Sequence, residues 1–353
     1  MRKPKAFVSG LLCMLSMLCL ALPAFADGPV NSQQTMKEIR QNPDVIATGV
    51  FTYGNGDNDS ALMKLLFENK TLEEYAGSYQ AEDCAASLNL AVQNYKDGKQ
   101  VTYKVYSDAE IAQDADKDKV ELYYFPAKEA NGKYAIVLGG NIVFTSGEMR
   151  EGVASAAQLH EQGYAVFVLR YRIWMDMSNN ASMDDLGAAV KYITDHAEEF
   201  GVQTEDYAVF GFSSGGQLAA LFGDEEIGYG KYGVPKPGAL VLNYAILDLS
   251  IMKPVYHYLY DIGNFKWTYY WCNVLDVVNE DYPPIYIWRG ENDSDLGSTD
   301  QYLEFEAILE ELGVPHEMVI YANAPHAIGT GVGTDAEGWI PKAVAFWEQQ
   351  TAA

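Results

Sequence analysis

Short apolar runs alternate with longer helix-like segments from about residue 100 to the end of the chain. The central runs are almost continuously apolar, which is typical of strands that helices cover on both faces. This alternation predicts an α/β fold built on a doubly wound, mostly parallel sheet of about eight strands, whose first two strands form an antiparallel edge. The predicted strands are 101–106, 120–125, 134–138, 165–169, 207–210, 239–244, 285–288 and 317–321, and the predicted helices are 149–162, 184–200, 214–222, 299–312 and 339–350.

The first 26 residues differ in composition from the rest of the chain. Three basic residues lie within the first five positions, an apolar run follows over 6–22, and the small-residue pattern Ala24-Phe25-Ala26 closes the segment. A basic start, an apolar centre and a small-residue end are typical of a secretory signal peptide rather than of a membrane span. We therefore expect cleavage after Ala26 and a secreted or periplasmic protein without a membrane anchor.

Residues 27–99 carry helical patterns but no combination of residues that would make a catalytic site. Little order is predicted over 27–60, because Gly, Pro, Asn and Asp interrupt that stretch. Helices are predicted from residue 61 onward, one of them after a capping box that begins at Thr71. We interpret 27–99 as a helical N-terminal extension and 100–353 as the α/β domain.

The acidic composition of the chain limits its partners. The formal net charge is −25, and it becomes −28 once the three basic residues of the signal peptide are removed. Such a charge repels nucleic-acid phosphates and anionic membrane surfaces, so we expect neither as a partner. Asp114, Asp116 and Asp118 alternate like the start of a calcium loop, but the glycine and glutamate that such a loop needs are absent, and we predict no metal site. Cys84 and Cys272 remain after cleavage, and their spacing leaves open whether they form a disulfide or stay as free thiols.

A serine lies at the corner between a predicted strand and a predicted helix. The sequence Gly211-Phe212-Ser213-Ser214-Gly215 fits the pattern Gly-x-Ser-x-Gly. Glycines two positions before and two positions after the serine allow a tight turn that leaves the hydroxyl uncrowded. A strand before this pattern and a helix after it are the context in which it marks a nucleophile, so we predict that role for Ser213.

A nucleophilic serine needs a base that takes its proton and an acid that orients the base. Of the five histidines, His326 follows the last predicted strand and so lies at the same edge of the sheet as Ser213. The acid is expected in the loop after the preceding strand, where Asp293 and Asp295 compete. We favour Asp293, because Asp295 would point the other way in an extended loop. The chain order Ser213, Asp293, His326 is that of the α/β-hydrolases.

These motifs resemble those of secreted α/β-hydrolase esterases, the group that includes acetyl xylan and feruloyl esterases. Beyond the serine turn, Gly290-x-x-Asp293-x-x-Leu296 is similar to the acid loop of this family, which also favours Asp293. His326 matches the histidine loop, although Ala327 stands where the family usually has glycine. The resemblance covers the predicted α/β domain and implies hydrolysis of carboxylic esters without a cofactor or a metal.

The resemblance also implies an oxyanion hole, and here the chain departs from the family. Leu138-Gly139-Gly140-Asn141 stands where the family has the motif His-Gly-Gly-Gly. By position, the backbone N–H groups of Gly140 and Asn141, together with that of Ser214, are the expected donors to the oxyanion. The histidine of the family motif is missing, which leaves open how this loop is held.

Aromatic residues crowd the segment 251–281, between the sixth and seventh predicted strands. This fold usually carries a cap over the pocket at that place. We interpret the segment as an aromatic cap over an acyl or sugar site, with Trp267 and Trp271 in the pocket and a contribution from Trp174. Plain packing of an inserted helix is the alternative.

Together these features predict an exported serine esterase that acts on carboxylic esters, including acetyl or feruloyl esters of plant polysaccharide. The substrate is either a small molecule or an ester carried on a polymer. A peptidase on the same fold is one alternative, but it normally has a large N-terminal propeller, for which 27–99 is too short and too helical. A non-catalytic binding protein that retains the fold is the other alternative, and the altered oxyanion motif keeps it open.

Overall fold

The computed structural model describes residues 28–50, 61–129, 131–142, 145–172, 180–248, 273–293 and 299–352. The predicted signal peptide, most of the aromatic cap, Asp295 and Cys272 lie outside these ranges. Trp174, Trp267 and Trp271 lie outside them as well, so the aromatic pocket stays a prediction. Among the residues described, no helix has both the length and the apolar character needed to cross a bilayer.

The centre of the molecule is a mostly parallel sheet of eight strands. The described strands are β1 (Thr102–Lys104), β2 (Glu121–Phe125), β3 (Tyr134–Leu138), β4 (Asn141–Ile142), β5 (Thr145–Ser146), β6 (Ala165–Arg170), β7 (Ala208–Phe212), β8 (Ala239–Asn243), β9 (Ile285–Gly290) and β10 (His316–Tyr321). The sheet order is β1-β2-β6-β3-β7-β8-β9-β10, and among the described strands β4 pairs with β5 alone. β2 is antiparallel to both β1 and β6, whereas the pairs from β6 to β10 are parallel. The predicted α/β architecture and its antiparallel edge are confirmed.

Helices precede the sheet and connect its strands. The described α-helices are α1 (Met36–Gln41), α2 (Pro43–Thr48), α3 (Ala61–Phe67), α4 (Leu72–Ala76), α5 (Ala81–Lys96), α6 (Asp108–Ile111), α7 (Ala154–Glu161), α8 (Ala181–Asp195), α9 (Ala197–Phe200), α10 (Ser214–Phe222), α11 (Asp300–Leu312) and α12 (Trp339–Gln350). The bounds of α10 and α12 agree with the predicted ranges, and those of α11 differ by one residue.

Alternate strand side chains point into two hydrophobic clusters, one on each face of the sheet. Val137 and Phe210 belong to one cluster, together with side chains from α1, α4, α5, α7 and α12. Ile136 and Val209 belong to the other, together with side chains from α8, α10 and α11. Both faces are therefore covered, which explains the nearly continuous apolar runs of the central strands. The N-terminal helices share the first of these clusters with the sheet.

Two short helices, α1 and α2, occupy a segment for which little order was predicted. Thr35 caps α1 through a capping box: its hydroxyl accepts from the N–H of Glu38 over 3.2 Å, and the Glu38 carboxylate accepts from the N–H of Thr35 over 2.8 Å. Asn42 caps α2, whose first residue is Pro43. The prediction is wrong for this part of the chain, because caps and the burial of side chains such as Met36 stabilise helices too short to show a clear period.

The helix predicted over 149–162 consists of two parts. A π-helix over Glu148–Val153 leads directly into α7. Turns of this kind are rare and occur frequently at functional sites. This one carries two buried glutamates, Glu148 and Glu151, and the second of them contacts the site described below.

Candidate active site

Ser213 forms the turn between β7 and α10, at the carboxyl edge of the sheet. Its backbone has φ 53° and ψ −119°, an unusual conformation that costs about 1–3 kcal/mol and recurs at functional sites. Its N–H donates to the carbonyl of Asn243 over 2.9 Å, which ties the turn to the next strand. The flanking glycines are needed for space: a Cβ on Gly211 would lie 2.4 Å from the carbonyl oxygen of Gly215, and one on Gly215 would lie 2.6 Å from that of Leu138.

The side chains of Ser213, His326 and Asp293 form a hydrogen-bonded row. Nε2 of His326 lies 3.1 Å from Oγ of Ser213, and Nδ1 lies 2.7 Å from Oδ2 of Asp293. The Asp293 side chain is 1% exposed and that of His326 is 13% exposed, so the carboxylate–imidazole contact is shielded from water. When Nδ1 donates to the carboxylate, Nε2 is left as the acceptor for the serine proton. This arrangement can activate the Ser213 hydroxyl by general-base catalysis.

A buried arginine holds the loop that carries Asp293. Arg289 donates from Nη2 to the carbonyl of Asp293 over 2.7 Å and from Nε to the carbonyl of Gly290 over 2.9 Å. Its guanidinium carbon lies 4.9 Å from the ring centre of Tyr302, a cation–π contact. No role was predicted for Arg289 from the sequence, although an arginine at the end of a buried strand is a signal for a structural contact. Asp295, the alternative acid, lies outside the described residues.

The loop that carries His326 contacts the segment between α4 and α5. The carbonyl of Tyr79 accepts from the N–H of Val332 over 3.0 Å and from the hydroxyl of Thr330 over 3.1 Å. Ala327 has φ 58°, in the left-handed region that favours the glycine of the family motif. The support from the segment between α4 and α5 was not predicted from the sequence, because a backbone carbonyl carries no residue-type signal.

Two of the three predicted oxyanion donors are already bonded to side chains. The N–H of Gly140 donates to Oε2 of Glu151 over 2.6 Å, and the N–H of Asn141 donates to Oγ of Ser214 over 2.8 Å. Ser214 is the first residue of α10, where a backbone N–H has no acceptor within the helix. No other described residue accepts from that N–H. Of these three N–H groups, that of Ser214 is therefore the one without an acceptor among the described residues.

The predicted oxyanion loop, residues 139–141, is held by the side chains of Tyr171 and Glu151. The hydroxyl of Tyr171 donates to the carbonyl of Gly139 over 2.6 Å and accepts from Nδ2 of Asn141 over 2.9 Å. Tyr171 is buried, so these bonds are shielded from water. The hydrogen bonds of this tyrosine and of Glu151 therefore fix the conformation of the loop that follows Leu138.

The acidic run after α6 forms ion pairs. The three alternating aspartates contact basic side chains, in the pairs Asp114–Arg172, Asp116–Lys119 and Asp118–Lys104. Within the described part of the chain, no three His, Cys, Asp or Glu side chains gather as they would around a metal ion. Cys84 is a buried free thiol whose Sγ donates to the carbonyl of Met149 over 3.1 Å.

The sequence is similar to proteins of known families. Residues 121–228, which include the predicted oxyanion loop and Ser213, match the model of the BD-FAE family. Over 202 residues the chain is 24% identical to endo-1,4-beta-xylanase B from Butyrivibrio fibrisolvens, a match that covers 54% of this chain and 31% of that protein. The match therefore spans about a third of the length of this curated relative.

Solved structures share the fold. A truncated carbohydrate esterase from gut microbiota superposes with a TM-score of 0.57 at 18% identity, over 71% of this chain and 95% of that chain. The carboxylesterase Cest-2923 from Lactobacillus plantarum WCFS1 superposes with a TM-score of 0.54 at 18% identity, over 65% of this chain and 92% of that chain. The chain therefore has the α/β-hydrolase fold, and its structure is similar to those of carboxylic ester hydrolases.

Proposed function

We propose that this protein is a serine esterase that hydrolyses carboxylic esters through an acyl-enzyme. The hydrogen-bonded row of Ser213, His326 and Asp293 is the observation that supports the proposal most directly. His326 takes the proton of the Ser213 hydroxyl as Oγ attacks the ester carbonyl, while Asp293 keeps the imidazole in the correct tautomer. The imidazolium then gives its proton to the leaving alcohol. Water, activated by His326, hydrolyses the acyl-enzyme and releases the acid.

Backbone N–H groups beside Ser213 stabilise the tetrahedral oxyanion in this mechanism. The N–H of Ser214 lies at the N-terminus of α10, where the helix dipole places partial positive charge. The N–H of Asn141 becomes a second donor when the ester oxygen replaces Oγ of Ser214 as its acceptor. The N–H of Gly140 contributes only when it leaves the carboxylate of Glu151. The mechanism requires neither a cofactor nor a metal ion.

Esters on plant polysaccharide are the substrate class that we favour, with acetyl and feruloyl esters first. The curated relative is named a xylanase, and one structurally similar protein is named a carbohydrate esterase. Export through the signal peptide would bring the enzyme to such polymers outside the cell. Assays with acetylated xylan, a feruloyl ester and simple acyl esters, side by side, test the substrate class. N-terminal sequencing of the exported protein tests cleavage after Ala26.

Turnover of p-nitrophenyl acetate before and after Ser213→Ala tests the function itself. We expect the substitution to lower kcat by about a million-fold, as the loss of the serine does in subtilisin. Ser107→Ala is a matched control, because it removes a helix-capping hydroxyl outside the site and leaves kcat unchanged. Equal turnover by the wild type and by Ser213→Ala would disprove the esterase mechanism.

A non-catalytic binding protein is the second candidate, and one observation favours it. The N–H groups of Gly140 and Asn141 are both engaged by side chains, which leaves the oxyanion hole incomplete until they are released. A binding protein would retain affinity for the ester without turning it over. A peptidase, the remaining alternative, would cleave peptide p-nitroanilides faster than p-nitrophenyl esters.

A further inference from the structure

Glu151 is a buried carboxylate beside the nucleophile that the proposed mechanism does not use. Its side chain lies in the π-helix, and the residue is 3% exposed. Oε2 accepts from the N–H of Gly140 over 2.6 Å, and Oε1 accepts from the hydroxyl of Tyr244 over 2.8 Å. A Cβ on Gly140 would lie 2.8 Å from Cβ of Ser213 and 3.1 Å from Oε2 of Glu151, so the carboxylate and the nucleophile flank the same glycine.

This carboxylate sets the direction of the peptide groups in the oxyanion loop. The N–H of Gly140 points to Glu151, and the carbonyl of Gly140 accepts from the N–H of Gly147. In a trans peptide the carbonyl and the following N–H point in opposite directions. The N–H of Asn141 therefore points away from Gly147 and reaches Oγ of Ser214, at the start of the helix that follows the nucleophile. Glu151 holds the peptide before Gly140 and Gly147 holds the peptide after it, so the two contacts together fix the orientation in which the N–H of Asn141 faces the nucleophile turn.

Tyr244 connects Glu151 to the loop that carries His326. Its hydroxyl donates to Glu151 and accepts from the N–H of Gly329 over 3.0 Å, and its ring lies 4.9 Å from the ring of His326 in an edge contact. Tyr244 follows β8 with φ 37°, which is a strained conformation for a tyrosine. Burial and the neighbouring carboxylate of Glu151 raise the pKa of the Tyr244 phenol well above its ordinary value, so it stays a donor at neutral pH.

We propose that Glu151, held by Tyr244, is a positioning residue for the oxyanion loop. This inference rests on the proposed esterase function. Glu151 does not touch the substrate in this role. It keeps the N–H of Asn141 directed at the nucleophile turn. Through Tyr244, it also fixes the position of the oxyanion loop relative to His326. Its loss lowers stabilisation of the transition state more than binding of the ester, because charge develops on the carbonyl oxygen only as the bond to serine forms.

Steady-state kinetics of the full chain with p-nitrophenyl acetate, together with thermal unfolding, test this role. We expect Glu151→Ala to lower kcat by about 100-fold and to change KM by less than about threefold. Glu151→Gln should recover most of the loss, because its amide oxygen can still accept from the N–H of Gly140. Tyr244→Phe should lower kcat by about tenfold, and Glu151→Ala combined with Tyr244→Phe should be no slower than Glu151→Ala alone, because the two residues act as one unit.

A second carboxylate–tyrosine pair provides the control. Glu348 accepts from the hydroxyl of Tyr164 over 2.5 Å, and it belongs to α12 rather than to the site. Glu348→Ala should therefore leave kcat unchanged, even where it lowers the melting temperature. This comparison separates a positioning role from a general loss of stability.

Three outcomes would overturn the inference. If Glu151→Ala keeps kcat within about threefold of the wild type while Ser213→Ala is inactive, the role of Glu151 fails and the esterase function stands. If Ser213→Ala is as active as the wild type, the proposed function fails and the role of Glu151 fails with it. Should Glu151→Ala not fold, Tyr244→Phe decides, because it removes only a hydroxyl, and a wild-type kcat in that variant rejects the proposal.

Discussion

The Asp293 carboxylate lies 2.7 Å from Nδ1 of His326, although 33 positions separate the two residues along the chain. They meet because β9 and β10 are parallel neighbours, so the loops that follow these strands leave the sheet at the same edge. Ser213 follows β7 and reaches the same edge, two strands away from β9. The topology of a parallel sheet, rather than proximity in sequence, assembles the three side chains.

Substitution of Asp293 and of Asp295, one at a time, shows which of them is the acid that orients His326. We expect Asp293→Asn to lower kcat/KM by about 10⁴-fold, since an amide cannot hold the imidazole in the tautomer that accepts the serine proton. Asp295→Asn is the control and should stay within about threefold of the wild type. Hydrolysis of p-nitrophenyl acetate measures both. A loss confined to Asp295→Asn would show that the acid has been assigned to the wrong residue.

Removal of one hydroxyl tests the support of the oxyanion loop. Tyr171→Phe loses the bonds to Gly139 and Asn141, whereas Tyr124→Phe loses one bond, from a buried hydroxyl to the carbonyl of Phe200. We expect both changes to lower the free energy of unfolding by about 1 kcal/mol per lost hydrogen bond, as urea denaturation would show. Only Tyr171→Phe should lower kcat, by about tenfold, because only its bonds orient donors to the oxyanion. Equal kcat values for the two variants would contradict this.

Ala327 is the position where the chain departs from the family glycine, and its φ of 58° makes it a site for stabilisation. An L-residue in this region is strained by about 1–2 kcal/mol. Glycine removes that strain, but its greater conformational entropy in the unfolded chain lowers stability by about 0.4–1 kcal/mol. We therefore expect Ala327→Gly to raise the melting temperature. Ala345→Gly, at an exposed position inside α12, is the matched control and should destabilise the protein by about 0.5–1 kcal/mol. A lower melting temperature in Ala327→Gly would refute the strain argument.

The capping box of α1 predicts a pH dependence of stability. Hydrogen bonds from the backbone N–H and the hydroxyl of Thr35 hold the pKa of Glu38 below its ordinary value of 4.5. A carboxyl whose pKa is lower in the folded state stabilises the fold fully above about pH 4.5, and this contribution is lost as pH falls through the folded value. The difference in free energy of unfolding between the wild type and Glu38→Gln should therefore be constant near neutral pH and shrink as pH falls below about 4.5. Urea denaturation at several pH values measures it, and a constant difference would argue against the cap.

Regular elements were predictable where the hydrophobic pattern is long and strong. The helix after Ser213 and the final helix agree with their predicted bounds, because the first is an almost continuously buried run of small and apolar residues and the second presents an apolar face to the sheet. The segment that holds α1 and α2 was missed, because helices of six residues are too short for a period and depend on caps and burial instead. The π-helix was also missed, because π-helices are rare, occur mostly as single turns inside α-helices, and this one leads directly into α7.

The sheet, its antiparallel edge and the loops that carry Ser213, Asp293 and His326 could be predicted without coordinates, because apolar period, glycine spacing and chain order can be read from the sequence. What supports those loops became clear only from the packing of the folded chain. Glu151 and Arg289 are ordinary polar residues in the sequence, and what distinguishes them is burial against partners far along the chain. Hydrogen bonds of this kind are set by the packing of helices on the sheet, so no local pattern of residue types encodes them.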